Sequence, residues 1–240
     1  MDTRYWGPSA WQLFHLIAFR TPHPDDVLND MKDVLPCKFC RASTTEFVKK
    51  HPLRADPGKW LYDIHNMVNN KLRTQCADDP TVTNPGTDPK FEDVMMNYAA
   101  MKPTAVPGRD FLFSIAYNYP DAPEETDMAT QRQFMHHLAE SYPFQKMAKV
   151  FQAYIKSNEP TLKSRKTYTR WMYGLLKALS DHVGAELPTY KGYMHHVSYY
   201  KSGCSHKTYH GKTCRRLPDG KRTKTRDNRK TFRVSHKNLL

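Results

Sequence analysis

Apolar residues recur along this chain at intervals of three and four, in short runs separated by proline-bearing links, a period that predicts helices. The first run covers residues 6–20 (WGPSAWQLFHLIAFR), with Ser9 as a cap candidate or Pro8 in the first turn. Within it Trp11 and His15 are four apart and share a face. Pro22 and Pro24 end that helix, and Asp25-Asp26 open a second one running to Leu35. A third follows Pro36 and continues to about Lys50, where His51-Pro52 stops it. Pro57-Gly58 begins the fourth, striped by Leu61, Ile64, Val68 and Leu72, and a short fifth is expected over Phe91 to Met101. The pattern predicts an all-α protein built on an antiparallel four-helix bundle.

Two features of that bundle carry chemistry. Cys37-Lys38-Phe39-Cys40 places two thiols on one helical face, able to form a tight, reactive disulfide. Pro36 leaves backbone N–H groups free near Cys37 and Lys38 adds positive charge, and both favour a thiolate. On the fourth helix, His65 and Asn69 are four apart and Asn66 and Asn69 three apart, a polar strip beside the apolar stripe. A dithiol beside imidazole and amide groups suggests work against a bound aromatic cofactor. Each part has a plainer reading: Trp11 as core packing, His65 or Asn69 as solvated surface, the cysteine pair as half a zinc site. The zinc reading needs a second Cys/His pair at ligand spacing, and the neighbourhood has none. A thioredoxin-like setting would need βαβ patterning, and no GxGxxG is present for a Rossmann dinucleotide site.

Length and charge refine the picture. The 240 residues suit one large domain or two smaller ones. Residues 201–240 contain thirteen Lys/Arg and two Asp/Glu, a net +11 of the chain's +13, so the basicity belongs to a tail. Neither a secretory leader pattern nor an apolar run of membrane-spanning length occurs, which predicts a soluble protein. Five cysteines in such a chain point to redox or metal use rather than a disulfide framework. Cys76, in the Pro/Thr/Asp-rich stretch from Thr74 to Pro89, reads as an incidental loop thiol.

The order WGPSAWxxxH, PCKFC, HPL and WLYDIHNMVNNKL resembles the Erv/ALR family of FAD-dependent sulfhydryl oxidases over residues 6–72. The resemblance implies a helical bundle holding FAD, with Gly7, Trp11 and His15 packed on the cofactor. It implies that His65, Asn66, Asn69 and Lys71 contact the adenosine end. It sets Cys40 against the flavin ring and gives Cys37 the exchange with client thiols. Many members also carry a structural disulfide whose first position is here Tyr62 and whose second falls near Glu92-Asp93, so that bond is absent.

Residues 109–184 resemble the first bundle in turn. FLFSIAYNYP echoes LFHLIAFRTP, and TRWMYGLLKALSDHV echoes GKWLYDIHNMVNNKL. Under that register Phe144 and Met147 replace Cys37 and Cys40, Phe113 replaces His15, and Leu176 and Ser180 replace His65 and Asn69. The expected organisation is an FAD-binding oxidase domain at 1–104, an inactive pseudo-copy at 105–200 and a flexible basic tail at 201–240. Oxidation of protein dithiols with reduction of O2 to H2O2 is the expected activity. A homodimer is the expected assembly, and the setting a viral enzyme in host cytoplasm or virion, with the mitochondrial intermembrane space as the alternative. Cys204 and Cys214 read as a shuttle dithiol, or with His206 and His210 as irregular zinc ligands; the tail's charge suits weak contact with nucleic acid or anionic surfaces. The competing function is a non-enzymatic zinc-binding helical protein with a nucleic-acid-binding tail.

Overall fold

The computed structural model describes residues 1–78 and 82–201. Among these the chain is entirely helical: α1 Thr3–Arg20, α2 Asp25–Val34, α3 Lys38–Lys50, α4 Pro57–Cys76, α5 Phe91–Ala100, α6 Arg109–Asn118, α7 Glu125–Glu140, α8 Gln145–Ser157, α9 Arg165–Val183 and α10 Tyr190–Ser198.

Two helix boundaries and one cap differ from expectation. Helix α1 starts before Trp6, because the Asp2 carboxylate accepts from the Arg4 N–H and caps it at Thr3. Pro8 therefore lies inside the helix. Ser9, the expected cap, serves another helix: the N–H groups of Asp110 and Phe111, at the start of α6, point to its hydroxyl at 3.2 and 3.3 Å. Helix α4 runs on to Cys76, so that thiol ends a helix rather than sitting in a loop.

Helix α1 is the hub. It packs on α4 and α5 on one side and on α6 on the other. Leu13, Phe14, Leu16 and Ile17, all buried, make it apolar nearly all round, as a helix between two layers requires. Helix α2 packs on α3 and, across the molecule, on α7. The buried apolar side chains of both halves merge into one cluster.

The second five helices repeat the first in detail. Trp60 Nε1 donates to the carbonyl of His51, the residue closing α3, at 2.7 Å; Trp171 Nε1 donates to that of Asn158, closing α8, also at 2.7 Å. Tyr62 donates to the Pro89 carbonyl and sets its ring edge-on to Phe91 at 5.4 Å; Tyr173 donates to the Pro188 carbonyl and meets Tyr190 edge-on at 5.5 Å. The repeat therefore extends past residue 184 to α10, the counterpart of α5. The tyrosine contact also ties α4 to α5 where the family disulfide would stand. Pairing α1 with α6 and α2 with α7 sets each helix on its own counterpart, the pattern of a two-fold interface.

Candidate functional site

The cysteine pair is built by the start of α3. Cys37 is the N-cap residue, in extended conformation, and its Sγ accepts from the backbone N–H of Cys40 at 3.3 Å. Both thiols are free. The Cys40 S–H and the N–H groups of Cys40 and Phe39 hold the Cys37 thiol down to about 6, against the effect of burial. Cys40 moves the opposite way, since it keeps the shared proton beside the Cys37 thiolate and is itself half-buried; the Lys71 ammonium opposes that rise. The pair thus has one ready nucleophile, Cys37, and one retained proton, on Cys40. Lys38, expected to supply charge, instead lies over the Phe39 ring, 5.0 Å from its centre. Accessibility runs against the expected division of labour, for Cys37 is 2% exposed and Cys40 is the more open of the two.

Around the α1–α4 seam an aromatic cluster forms. Trp11 stacks on His65, with ring centres 3.8 Å apart and planes 10° apart. His15 Nε2 and His65 Nδ1 are 3.0 Å apart, one donating and one accepting. Burial, and for His15 the charge of His65 as well, pushes these imidazoles down to about 3 and about 4, so both are neutral at physiological pH. Tyr98 of α5 stacks on the His15 ring at 4.8 Å. His15 Nδ1 is buried and has no partner among the described residues, a state that calls for a further donor or acceptor.

The structure therefore brings together Trp11, His15 and His65. Gly7 lies within α1, and a methyl group there would meet nothing within 4 Å, so the space beside it is open. Asn66 is half-buried on α4. Asn69 is engaged by the chain itself: its amide donates to Asp88 at 2.8 Å, and Arg73 binds the same carboxylate at 2.6 Å. Lys71 donates to Ser43 Oγ and lines a hollow of about 420 Å³ between α3 and α4, with Phe47, Met67 and Asn70. Cys204 and Cys214 lie outside the described residues. Sequence reasoning missed Tyr98, Asp88 and Ser43. Tyr98 sat in the weakly matching fifth helix, and Asp88 in a loop without periodicity.

Planar rings, an unpartnered buried ring nitrogen, a lysine ammonium and a dithiol near it are the groups an FAD site needs, so these residues fit the cofactor that the resemblance implies. In the second half the side chains that replace His15, Cys40, His65 and Asn69 are buried and carry no thiol, ring nitrogen or ammonium. Phe113 stacks on Tyr193 at 4.1 Å, and Met147, Leu176 and Ser180 are buried. Among the described residues no group of three or more His, Cys, Asp and Glu side chains is placed to hold a metal ion.

Comparison with known proteins agrees with this geometry. A family model described as Erv1 / Alr family matches residues 8–85 and again residues 110–185. The chain is 36% identical over 85 residues to the mitochondrial FAD-linked sulfhydryl oxidase of Saccharomyces cerevisiae, covering 30% of this chain and 45% of the relative. It is 33% identical over 85 residues to a probable FAD-linked sulfhydryl oxidase of Acanthamoeba polyphaga mimivirus, covering 29% of this chain and 59% of the relative. The chain thus spans about half the length of the curated relatives it matches. No solved structure matches it.

Proposed function

Because the chain belongs to the Erv1 / Alr family, we propose that it is an FAD-dependent thiol oxidase that makes disulfides in protein dithiols, with Cys37 and Cys40 as its redox pair. The observation that carries this reading is the Cys37 N-cap, a thiol held near 6 by its partner and the helix terminus, in a bundle whose α1–α4 seam holds a neutral aromatic cluster with an unpartnered ring nitrogen. In this reading Gly7, Trp11, His15, His65, Asn66, Asn69 and Lys71 hold the cofactor.

The reaction starts from the Cys37–Cys40 disulfide. A client thiolate attacks Cys37 Sγ, forming a mixed disulfide and releasing Cys40 as the thiolate, which the Lys71 ammonium favours. The second client thiolate then attacks the client sulfur of that mixed disulfide. Cys37 leaves, helped by the same N–H groups that lower its pKa, because a thiol that ionises easily also departs easily. The client is now a disulfide and two electrons rest on the pair. FAD held by Trp11, His15, His65 and Lys71 would supply the two-electron acceptor for the pair and an outlet from it to O2, as H2O2. Cys37 is buried, so client access requires its cover to move. Trp11, His15 and His65, neutral and packed together, supply a water-poor, uncharged wall.

The tail has a place in this scheme. The Tyr200 carbonyl accepts from the Asp2 N–H at 2.9 Å and its ring stacks on Tyr5 at 4.3 Å, so the tail leaves the described structure beside the start of α1. Cys204 and Cys214 are proposed to carry electrons from clients to Cys37, and the tail's charge to give weak contact with anionic partners. The relatives come from a mitochondrion and from a virus, and these two settings are the proposed locations, the viral one favoured by the extra helical half. No described helix is long and apolar enough to cross a membrane. The non-enzymatic zinc reading has no further ligand group beside Cys37 and Cys40 among the described residues.

The visible spectrum of the purified protein tests the cofactor, and oxygen uptake tests the chemistry. Cys40→Ser is expected to keep its flavin absorption and lose dithiol-dependent oxygen uptake; uptake at the wild-type rate would refute the assignment.

A further inference from the structure

Arg20 closes α1, nine residues beyond Trp11 and five beyond His15, yet its guanidinium serves a different helix. Its Nη1 lies 3.1, 2.6 and 2.9 Å from the carbonyl oxygens of Tyr98, Ala99 and Met101, at the end of α5. The last carbonyls of a helix lack partners within it and carry its negative pole. Helix α5 has no basic residue in its own last turn, so the cation comes from α1. The start of this helix is held by Tyr62 and its Tyr98 ring by His15, but its burial is slight: it is ten residues long and only Val94 is buried, while Met95 and Met96 are exposed. Such an element opens readily by itself.

The same guanidinium lies over the ring of Phe144, 4.7 Å from its centre. Phe144 is the N-cap residue of α8 and stands where Cys37 stands in the first half. Its φ of 67° puts it in the left-handed region, the one non-glycine residue there among those described. A bulky side chain in that region is strained and persists when its surroundings hold it. The neighbouring Ser141 hydroxyl donates to the His23 carbonyl at 2.6 Å, so the 141–144 turn sits on the 20–23 turn. A path of contacts then leads inward: Phe144 to Arg20, Arg20 to the end of α5, Tyr98 to His15, and His15 to His65 and Trp11.

We infer that Arg20, seated on Phe144, is a positioning residue that holds the last turn of α5, and with it Tyr98, against the Trp11–His15–His65 cluster. The half that has lost its cysteines thereby sets how firmly the other half keeps its flavin. The inference rests on the FAD reading above, but its structural part stands on α5 alone. Arg20 does not touch the thiols, so its effect is on cofactor retention, through the pre-organised position of one wall of the pocket.

Full-length protein is the material for the test, with Arg20→Ala, Arg20→Lys and Phe144→Gly, the last removing the ring while relieving its backbone. Two quantities are read: the FAD dissociation constant, from the flavin fluorescence that appears on release, and amide hydrogen exchange in residues 94–101. Arg20→Ala should weaken FAD binding roughly tenfold and speed exchange in α5, with α3 and α9 exchanging as in the wild type. Arg20→Lys should fall between, because an ammonium keeps the charge but not the flat guanidinium face that lies over Phe144. Phe144→Gly should move both quantities in the same direction as Arg20→Ala. Wild-type affinity in Arg20→Ala or in Phe144→Gly, or unchanged α5 exchange, overturns the inference. A wild-type protein that binds no FAD would instead sink the reading of the previous subsection, and α5 exchange would then decide the bracing by itself.

Discussion

A thiol at a helix N-cap differs from the same thiol one turn later because the backbone N–H groups there have no carbonyl to serve. Cys37 takes up those of Phe39 and Cys40, together with the Cys40 S–H, and ionises near 6 instead of its ordinary 9.0. The sign follows directly. Above about 6 the reduced pair carries its thiolate on Cys37, and as pH falls through that value the thiolate is protonated and its nucleophilicity is lost. Alkylation of the reduced protein by iodoacetamide should therefore show an inflection near pH 6 for Cys37. Cys40→Ala, which removes the S–H donor, should shift that inflection upward. A Cys37 inflection near 9 in the wild-type protein would contradict the geometry. His15 and His65 show the opposite use of burial, which here keeps two imidazoles uncharged and facing one another.

At the scale of elements, the joint between α1 and α6 is a close fit. Gly108 precedes α6 with a φ of 74°, and a methyl group there would stand 2.5 Å from the Leu13 side chain. Two penalties coincide, since a side chain is strained at that φ and collides with a buried residue of the hub helix. Gly108→Ala is expected to cost about 2–4 kcal/mol in urea unfolding, the sum of a backbone term and an overpacking term. A loss below about 0.5 kcal/mol, the range of ordinary surface changes, would mean that α1 and α6 do not meet this closely. The repeated tryptophan and tyrosine contacts show what the duplication retained. Trp60 and Trp171 lock helix ends, Tyr62 and Tyr173 anchor the fifth helix of each set, and the polar chemistry between them survives in one half only.

Across the whole molecule, the counterpart pairing of α1 with α6 and α2 with α7 decides what surfaces remain. In a two-fold assembly of single bundles those faces would meet a second chain. Here they are covered from within, and Asp30 of α2 further accepts from Gln133 and binds His137 of α7 at 2.9 and 2.8 Å. A homodimer, if it forms, has to use other surfaces. Light scattering in solution is expected to give a single chain of 28.0 kDa; a mass of twice that would show that a further face pairs.

The helices of the first half were legible in the sequence, because the three-and-four apolar period and the prolines between runs act locally. So was the cysteine pair, whose reactivity depends on neighbours within one helical turn, and so was the loss of cysteines from the second half. Other features were not local. Ser9 reads as the cap of its own helix and turns out to cap one a hundred residues away. The Pro/Thr/Asp-rich loop gives no hint that its Asp88 binds Asn69 and Arg73. Tyr98 belongs to the short fifth helix that the sequence predicts, but nothing along the chain sets its ring on His15. Arg20 looks like an ordinary basic helix end until Phe144 is seen beneath it. Sequence by itself determined the elements and the thiol chemistry, since both follow from residues near one another along the chain. Tertiary structure alone decided which helices pair, what covers the two-fold face and which side chains from the second half reach the first, because those contacts join residues that the chain keeps far apart.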